Sequence, residues 1–229
     1  MEYRNELKFE LSDFDLIRIK NRLLPLMQTD AHQNPNGYLI RSLYFDDLYN
    51  SCAAEKENGV LHREKYRIRQ YNNTPDYIRL EKKTKHGDMC QKEMQPLNRQ
   101  DYKALLSNNI DCLHVILSQN RGGLLEEFIF KIISEKFTPK CIVEYERFAF
   151  TEIMGNVRIT FDRNIAGSRQ IENFFDSELF TVPVMPQNHH ILEIKYDELL
   201  PHYILQALDL GRLRRQSFSK YYMTRAAIG

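Results

Sequence analysis

His62–Tyr71 reads HREKYRIRQY and Tyr77–Lys85 reads YIRLEKKTK. In both stretches apolar residues (Tyr66, Ile68; Ile78, Leu80) alternate with charged ones (Lys65, Arg67, Arg69; Arg79, Glu81, Lys83). Alternation with period two is the signature of a β-strand, because successive side chains point to opposite faces. Each strand therefore carries one face fit for a core and one face that is almost wholly ionic.

The same alternation recurs at roughly 3–10, 38–46, 62–71, 76–84, 89–97, 140–151, 156–165 and 190–197. Turn chemistry lies between several of these runs: Asn72-Asn73-Thr74-Pro75, His86-Gly87-Asp88 and Met154-Gly155-Asn156. Short turns join antiparallel neighbours, so the sheet should be mostly antiparallel. Helices interrupt it. Ser12 caps one reaching toward Gln28, with Phe14, Ile17 and Leu24 on its apolar stripe and Pro25 bending or ending it. Others are expected over Tyr49–Glu57, from Asn98 with Asp101 as acidic N3 residue, over Leu124–Phe137, over Pro201–Leu210 ending at Gly211, and over Ser217–Ala227.

Sorting the strands by parity gathers Leu7, Ile68, Leu80, Ile159 and Ile194 on one side. The opposite side holds nine Lys or Arg against four Asp or Glu, although the chain as a whole is nearly neutral, with 32 Lys and Arg against 31 Asp and Glu. A solvated face is one explanation of such a pattern. A solvated face ordinarily mixes Thr, Ser, Gln and both charge signs, however, whereas here cations outnumber acids about two to one. If about eight strands close on themselves with the helices outside, the charged face becomes a lining. Cations crowded there repel one another unless a polyanion neutralises them. The expected fold is thus α+β: a closed antiparallel β-barrel of about eight strands forming a basic tunnel, helices packed outside, as a single domain over residues 1–229.

Other classes are disfavoured. Neutral total charge offers no long-range attraction for nucleic acid. No run of about 18 apolar residues suits a membrane span and MEYRNELKFE is too charged for a signal peptide, so a cytoplasmic location is expected. Cys52, Cys90, Cys112 and Cys141 are scattered without CxxC spacing, His189-His190 reads as a loop pair before a strand, and Gly122-Gly123 lacks the Lys-Ser/Thr tail of a phosphate loop. Arg forks suit bidentate phosphate binding, and the few carboxylates among them are either ion-pair partners or ligands for a hard cation beside phosphate.

At these residues the chain resembles the VTC domain, the polyphosphate polymerase domain of vacuolar transporter chaperone proteins, within the triphosphate tunnel metalloenzyme (CYTH-like) superfamily. The resemblance runs through ELKF, SLYFDD, YRIRQY, LEKK, QKEM, VEYERFAF, VRITFD, LEIKY and SFSKYY in order. It implies Lys8, Arg67, Arg69, Lys83, Arg147, Arg158 and Lys195 as catalytic cations. It further implies Glu81, Lys92, Tyr145, Ser219 and Lys220 as substrate-binding residues, and Glu193 as ligand to Mn²⁺ or Mg²⁺. The implied partners are ATP and polyphosphate or triphosphate, with neither nucleic acid nor a membrane segment. The implied activity is ATP-dependent extension of polyphosphate; hydrolysis of inorganic or nucleoside triphosphate and non-catalytic polyanion binding are the alternatives. Hydrolytic tunnel enzymes often begin Glu-x-Glu-x-Lys, whereas Arg4 occupies the first acidic place here, which leans toward the polymerase. The chain also shows no counterpart of the SPX domain or membrane helices of eukaryotic relatives, so transport by this polypeptide is not expected.

Overall fold

The computed structural model describes residues 3–74, 77–107, 109–119 and 122–229. Its strands and helices run in the order β1 (Arg4–Ser12), α1 (Asp13–Leu23), β2 (Gln28–Thr29), β3 (Tyr38–Asp46), α2 (Ser51–Glu57), β4 (His62–Tyr71), β5 (Ile78–His86), β6 (Met89–Leu97) and α3 (Arg99–Ser107). There follow α4 (Ile110–Gln119), α5 (Leu124–Glu135), β7 (Thr138–Glu152), β8 (Val157–Ser168), β9 (Val182–Pro183), β10 (His189–Tyr196), α6 (His202–Leu208) and α7 (Lys220–Ile228). None of these helices is long and apolar enough to cross a membrane.

Eight strands form a hydrogen-bonded ring in the order β7-β3-β4-β5-β6-β1-β10-β8, with β8 returning to β7; the two-residue β2 and β9 extend the sheet from β7 and β8. Every pairing is antiparallel. The ring is narrowest where β6 meets β1, through Arg4↔Cys90 and Asn5↔Met89 alone. Past that seam the chain near the C-terminus takes over the free edge of β1: Glu10 donates its backbone N–H to Arg214 O, and Gln216 donates to Lys8 O.

Parity decides which face the helices cover. Ile68 and Leu80 are fully buried outside the ring in a cluster with α3, α4 and α5, where the Phe128 ring lies 4.9 Å from Phe45 and 5.1 Å from Tyr66. Ile159 and Ile194 are buried in a second cluster with α1 and α6. Two apolar coats therefore hold the ring from outside and leave the ionic face turned inward.

Several local expectations need correction. Helix α1 is capped by Ser12, which accepts from Asp15 N–H, but it stops at Leu23; it buries Leu16, Ile19 and Leu23, while Phe14 and Ile17 are exposed. Docking on the sheet selects the stripe that propensity leaves open. Helix α6 ends at Asp209 in a left-handed conformation, not at Gly211. Helix α4 was not expected, although Leu113 and Ile116 are its buried face. Pro75, in the expected β4–β5 turn, lies outside the described residues, while Asn72 and Asn73 there adopt positive φ.

One glycine fixes the approach of β3 to β7. Gly37 has φ +97°, and a Cβ there would stand 2.1 Å from the Arg147 carbonyl oxygen. Gly37→Ala should combine backbone strain with that collision and destabilise the protein by about 2–4 kcal/mol. Urea denaturation measures it; an unchanged midpoint would contradict the close packing of β3 on Arg147.

Candidate active site

Strand register sets the inner face side chain by side chain. Lys65, Lys83 and Lys92 stand abreast across β4, β5 and β6, and Arg69 is opposite Arg79. Like charges in such cross-strand positions cost stability, so they require a compensating charge. Between β1 and β10 the signs alternate instead: Lys8 faces Glu193, and Glu6 faces Lys195.

These faces enclose a cavity of about 1070 Å³. Among the described residues fifteen Lys or Arg line it against four Asp or Glu, in a chain of formal net charge +1. All the cations expected from sequence are on its wall: Lys8, Arg67, Arg69, Lys83, Lys92, Arg147, Arg158, Lys195 and Lys220. Tyr145, Ser219 and Glu193 line it too. Glu81 does not; it is fully buried beneath the wall, because both of its oxygens are taken by the cations above it.

Four buried carboxylates hold the cations in place. Glu81 accepts from Arg67 Nε at 2.8 Å and Nη2 at 2.6 Å and from Lys92 at 3.1 Å. Asp162 accepts both prongs of Arg147, at 2.6 and 2.8 Å, and pairs with Lys220 at 2.6 Å. Glu6 accepts from Lys83 at 2.6 Å. Glu193 lies 2.7 Å from Lys195 and 3.7 Å from Arg147. Arg69 is steadied by Ser42 Oγ and Tyr145 Oη, each 3.0 Å away. Arg158 donates to Tyr38 Oη at 3.0 Å.

Segment 217–221 supplies another side of the wall. Ser219 caps α7, accepting from Tyr222 N–H, and also accepts from Lys65 Nζ at 2.8 Å; Lys8 donates to the Phe218 carbonyl at 3.0 Å. Lys65 was not assigned to the site from sequence, although it shares the parity of Arg67 and Arg69. Tyr44, which accepts from Arg67 at 2.8 Å, was missed because YLIRSLYFD in β3 is buried on both faces and hides its alternation.

The donor set bears on a metal ion. Among the described residues no three His, Cys, Asp or Glu are grouped as a ready-made metal site. Glu193 and Glu6 nonetheless sit within each other's field on the cavity wall, and both are held ionised: burial alone would raise their carboxyl pKa values, but Lys195, Lys8 and Lys83 outweigh it. One or two carboxylates suit a hard cation that takes its remaining ligands from phosphate oxygens.

A ring of strands thus encloses a strongly cationic cavity backed by buried carboxylate counter-charges. The chain belongs to the VTC domain family, whose model matches residues 3–228. Several solved structures are similar to the chain at low identity. A candidate adenylate cyclase from Bacillus halodurans is 13% identical with a TM-score of 0.53, over 94% of this chain and 95% of that one. The PH1819 protein from Pyrococcus horikoshii is 13% identical with a TM-score of 0.47, over 99% of each chain. The Mimivirus capping enzyme triphosphatase is 16% identical with a TM-score of 0.43, over 92% of this chain and 87% of that one. No curated protein sequence matches the chain.

Burial depresses two lysines of the wall, Lys8, whose nearest carboxylate is Glu6 at 3.8 Å, and Lys65, which donates to Ser219. Burial, with Lys83 and Lys220 nearby, outweighs Glu6 and Glu193 and brings Lys8 down to about 8. Burial, helped by Lys8, Arg63 and Lys83, brings Lys65 down to about 7. A bound polyanion favours the charged ammonium and raises both values. Triphosphate binding at pH 8 should therefore take up protons, and affinity should fall as pH rises from about 7 toward the ordinary lysine range near 10.4. Calorimetry in buffers of different ionisation enthalpy reads this, with uptake reduced in Lys65→Met. Equal proton exchange in wild type and Lys65→Met would contradict it.

Proposed function

We propose that this chain, as one VTC-type domain, is an ATP-dependent polyphosphate polymerase, and that the cavity is part of a tunnel through the strand ring. A terminal phosphate oxygen of the chain attacks the γ-phosphorus of ATP, the bond to the β-bridging oxygen breaks, ADP leaves, and the polymer is one unit longer. The observation that carries this reading is the excess of fifteen cations over four acids on the wall of one cavity. A chain of linked phosphates needs such a wall; a single small anion does not.

Phosphoryl transfer asks a protein mainly for positioning and charge neutralisation. Arg67 and Arg147 are already splayed by bidentate contacts to buried carboxylates, so their remaining donors are held toward the cavity without loss of rotamer freedom on binding. Arg69 and Arg158 extend the phosphate track, with Tyr145 fixing Arg69. Lys8, Lys83 and Lys195 surround Glu6 and Glu193, and their charge is offset there only in part. That uncompensated charge is available to the transferring group. Glu193, with Glu6 beside it, would hold a Mn²⁺ or Mg²⁺ that arrives with the phosphates, and the ion would supply Lewis-acid polarisation of the γ-phosphoryl. Lys220, paired to Asp162, and Ser219 present donors from α7.

Incubation with ATP and Mn²⁺ followed by gel electrophoresis tests the activity. Long polyphosphate supports the polymerase; orthophosphate alone means that water is the acceptor and the chain is a triphosphatase. Arg147→Ala should cut turnover on the order of a hundredfold or more through loss of a charge-assisted contact, with Arg147→Lys restoring it in part. Glu193→Gln should lower the maximal rate and move the metal dependence to higher Mn²⁺. Superimposable metal curves for wild type and Glu193→Gln would leave Glu193 as an ion-pair partner of Lys195 only.

A further inference from the structure

The two ends of the β4–β5 ladder differ in chemistry. At one end His62 pairs with His86 and Arg63 with Lys85; at the other Gln70 pairs with Ile78, with Tyr71 and Tyr77 just beyond. Eight residue steps, from His62 to Gln70, separate them, about 26 Å at 3.3 Å per residue. Both ends border the same cavity. The first presents Lys56, Arg63, Lys65 and Lys85, point charges and a fork suited to phosphate of any length. The second presents tyrosines beside arginine.

At that second end the Arg79 guanidinium lies 4.4 Å from the Tyr77 ring centroid and 6.0 Å from that of Tyr71, and Tyr71 is 5.9 Å from Tyr38. Arg79 has no carboxylate within ion-pair distance among the described residues; its hydrogen bond goes to Met94 Sδ at 3.5 Å. It is thus held between two rings and not by a salt bridge. Tyr77 is 48% exposed, so one face of its ring meets Arg79 while much of the residue meets solvent. Asn72 and Thr74 line the cavity beside it and carry amide and hydroxyl groups. A phosphate chain gains nothing from an exposed aromatic ring. A flat π-system carrying hydrogen-bonding edges does.

We propose that Tyr77, backed by Arg79 and Tyr71, is a stacking platform for the purine base of the nucleoside triphosphate, and that this end of the cavity is where the nucleotide sits. The inference rests on the ATP-using reading above and adds a direction: the nucleoside lies at the tyrosine end, and the polymer leads toward the lysine end. It also separates ATP from inorganic triphosphate, which the basic wall alone would bind alike.

The test compares binding of an imido analogue of ATP and of inorganic tripolyphosphate, each by calorimetry with Mn²⁺, in wild type, Tyr77→Ala and Tyr77→Phe. Stacking on one ring predicts that Tyr77→Ala weakens the ATP analogue about tenfold while tripolyphosphate changes less than about twofold. Tyr77→Phe should bind both as wild type does. An equal loss for both ligands, or none for either, overturns the platform. An oligoadenylate without a triphosphate that binds as tightly as the ATP analogue also overturns it, in favour of single-stranded nucleic acid. Because binding is read directly, base discrimination in a protein that makes no polymer would sink the polymerase reading and keep the platform. Polymer made by Tyr77→Ala with a wild-type KM for ATP would do the reverse.

Discussion

Repulsion among side chains that the strand register forces together governs this molecule. Lys65, Lys83 and Lys92 cannot be abreast, nor Arg69 opposite Arg79, without an electrostatic cost. Glu6, Glu81, Asp162 and Glu193 meet that cost in part, each buried and each touching two or more cations. Removing one partner from such a set leaves uncompensated buried charge, at about 3–5 kcal/mol. The carboxylates are therefore structural before they are anything else. They fix the guanidinium forks while leaving the cavity net cationic.

The same constraint explains the architecture. Strands with one ionic and one apolar face must segregate the two, and a ring of eight does so with α1 and α3–α6 outside, while the start of α7 reaches the cavity. Two apolar clusters, one over β3, β4, β5 and β7 and one over β1, β8 and β10, close that coat. Past the short β6–β1 seam, residues 214–216 pair with the edge of β1 on their way to α7, so the segment that extends the sheet there also delivers Ser219 and Lys220 to the cavity.

How much of this is legible in the chain depends on contrast between faces. In β4, β5 and β10 the two parities differ sharply, and Arg67, Arg69, Lys83, Glu193 and Lys195 fall on the cavity side as expected. In β3 both faces are buried, so Ser42 and Tyr44 carry no visible signal and are found only once their partners Arg69 and Arg67 are in place. Helix α1 offers competing apolar stripes, and the sheet beneath it picks Leu16, Ile19 and Leu23 over Phe14 and Ile17. Whether a lysine finds a carboxylate is likewise a three-dimensional fact: Lys65 and Lys83 are neighbours of one parity type, yet one meets Ser219 and the other Glu6.

If the interior of the ring is a track for linked phosphates, a crystal structure with inorganic tripolyphosphate will show the ligand inside the ring. Its oxygens will lie within hydrogen-bond distance of Arg67, Arg69 and Arg147, with Glu81 and Asp162 unmoved behind them. A tripolyphosphate bound only on the outer surface, with the interior ion pairs unchanged and no phosphate between them, would contradict it.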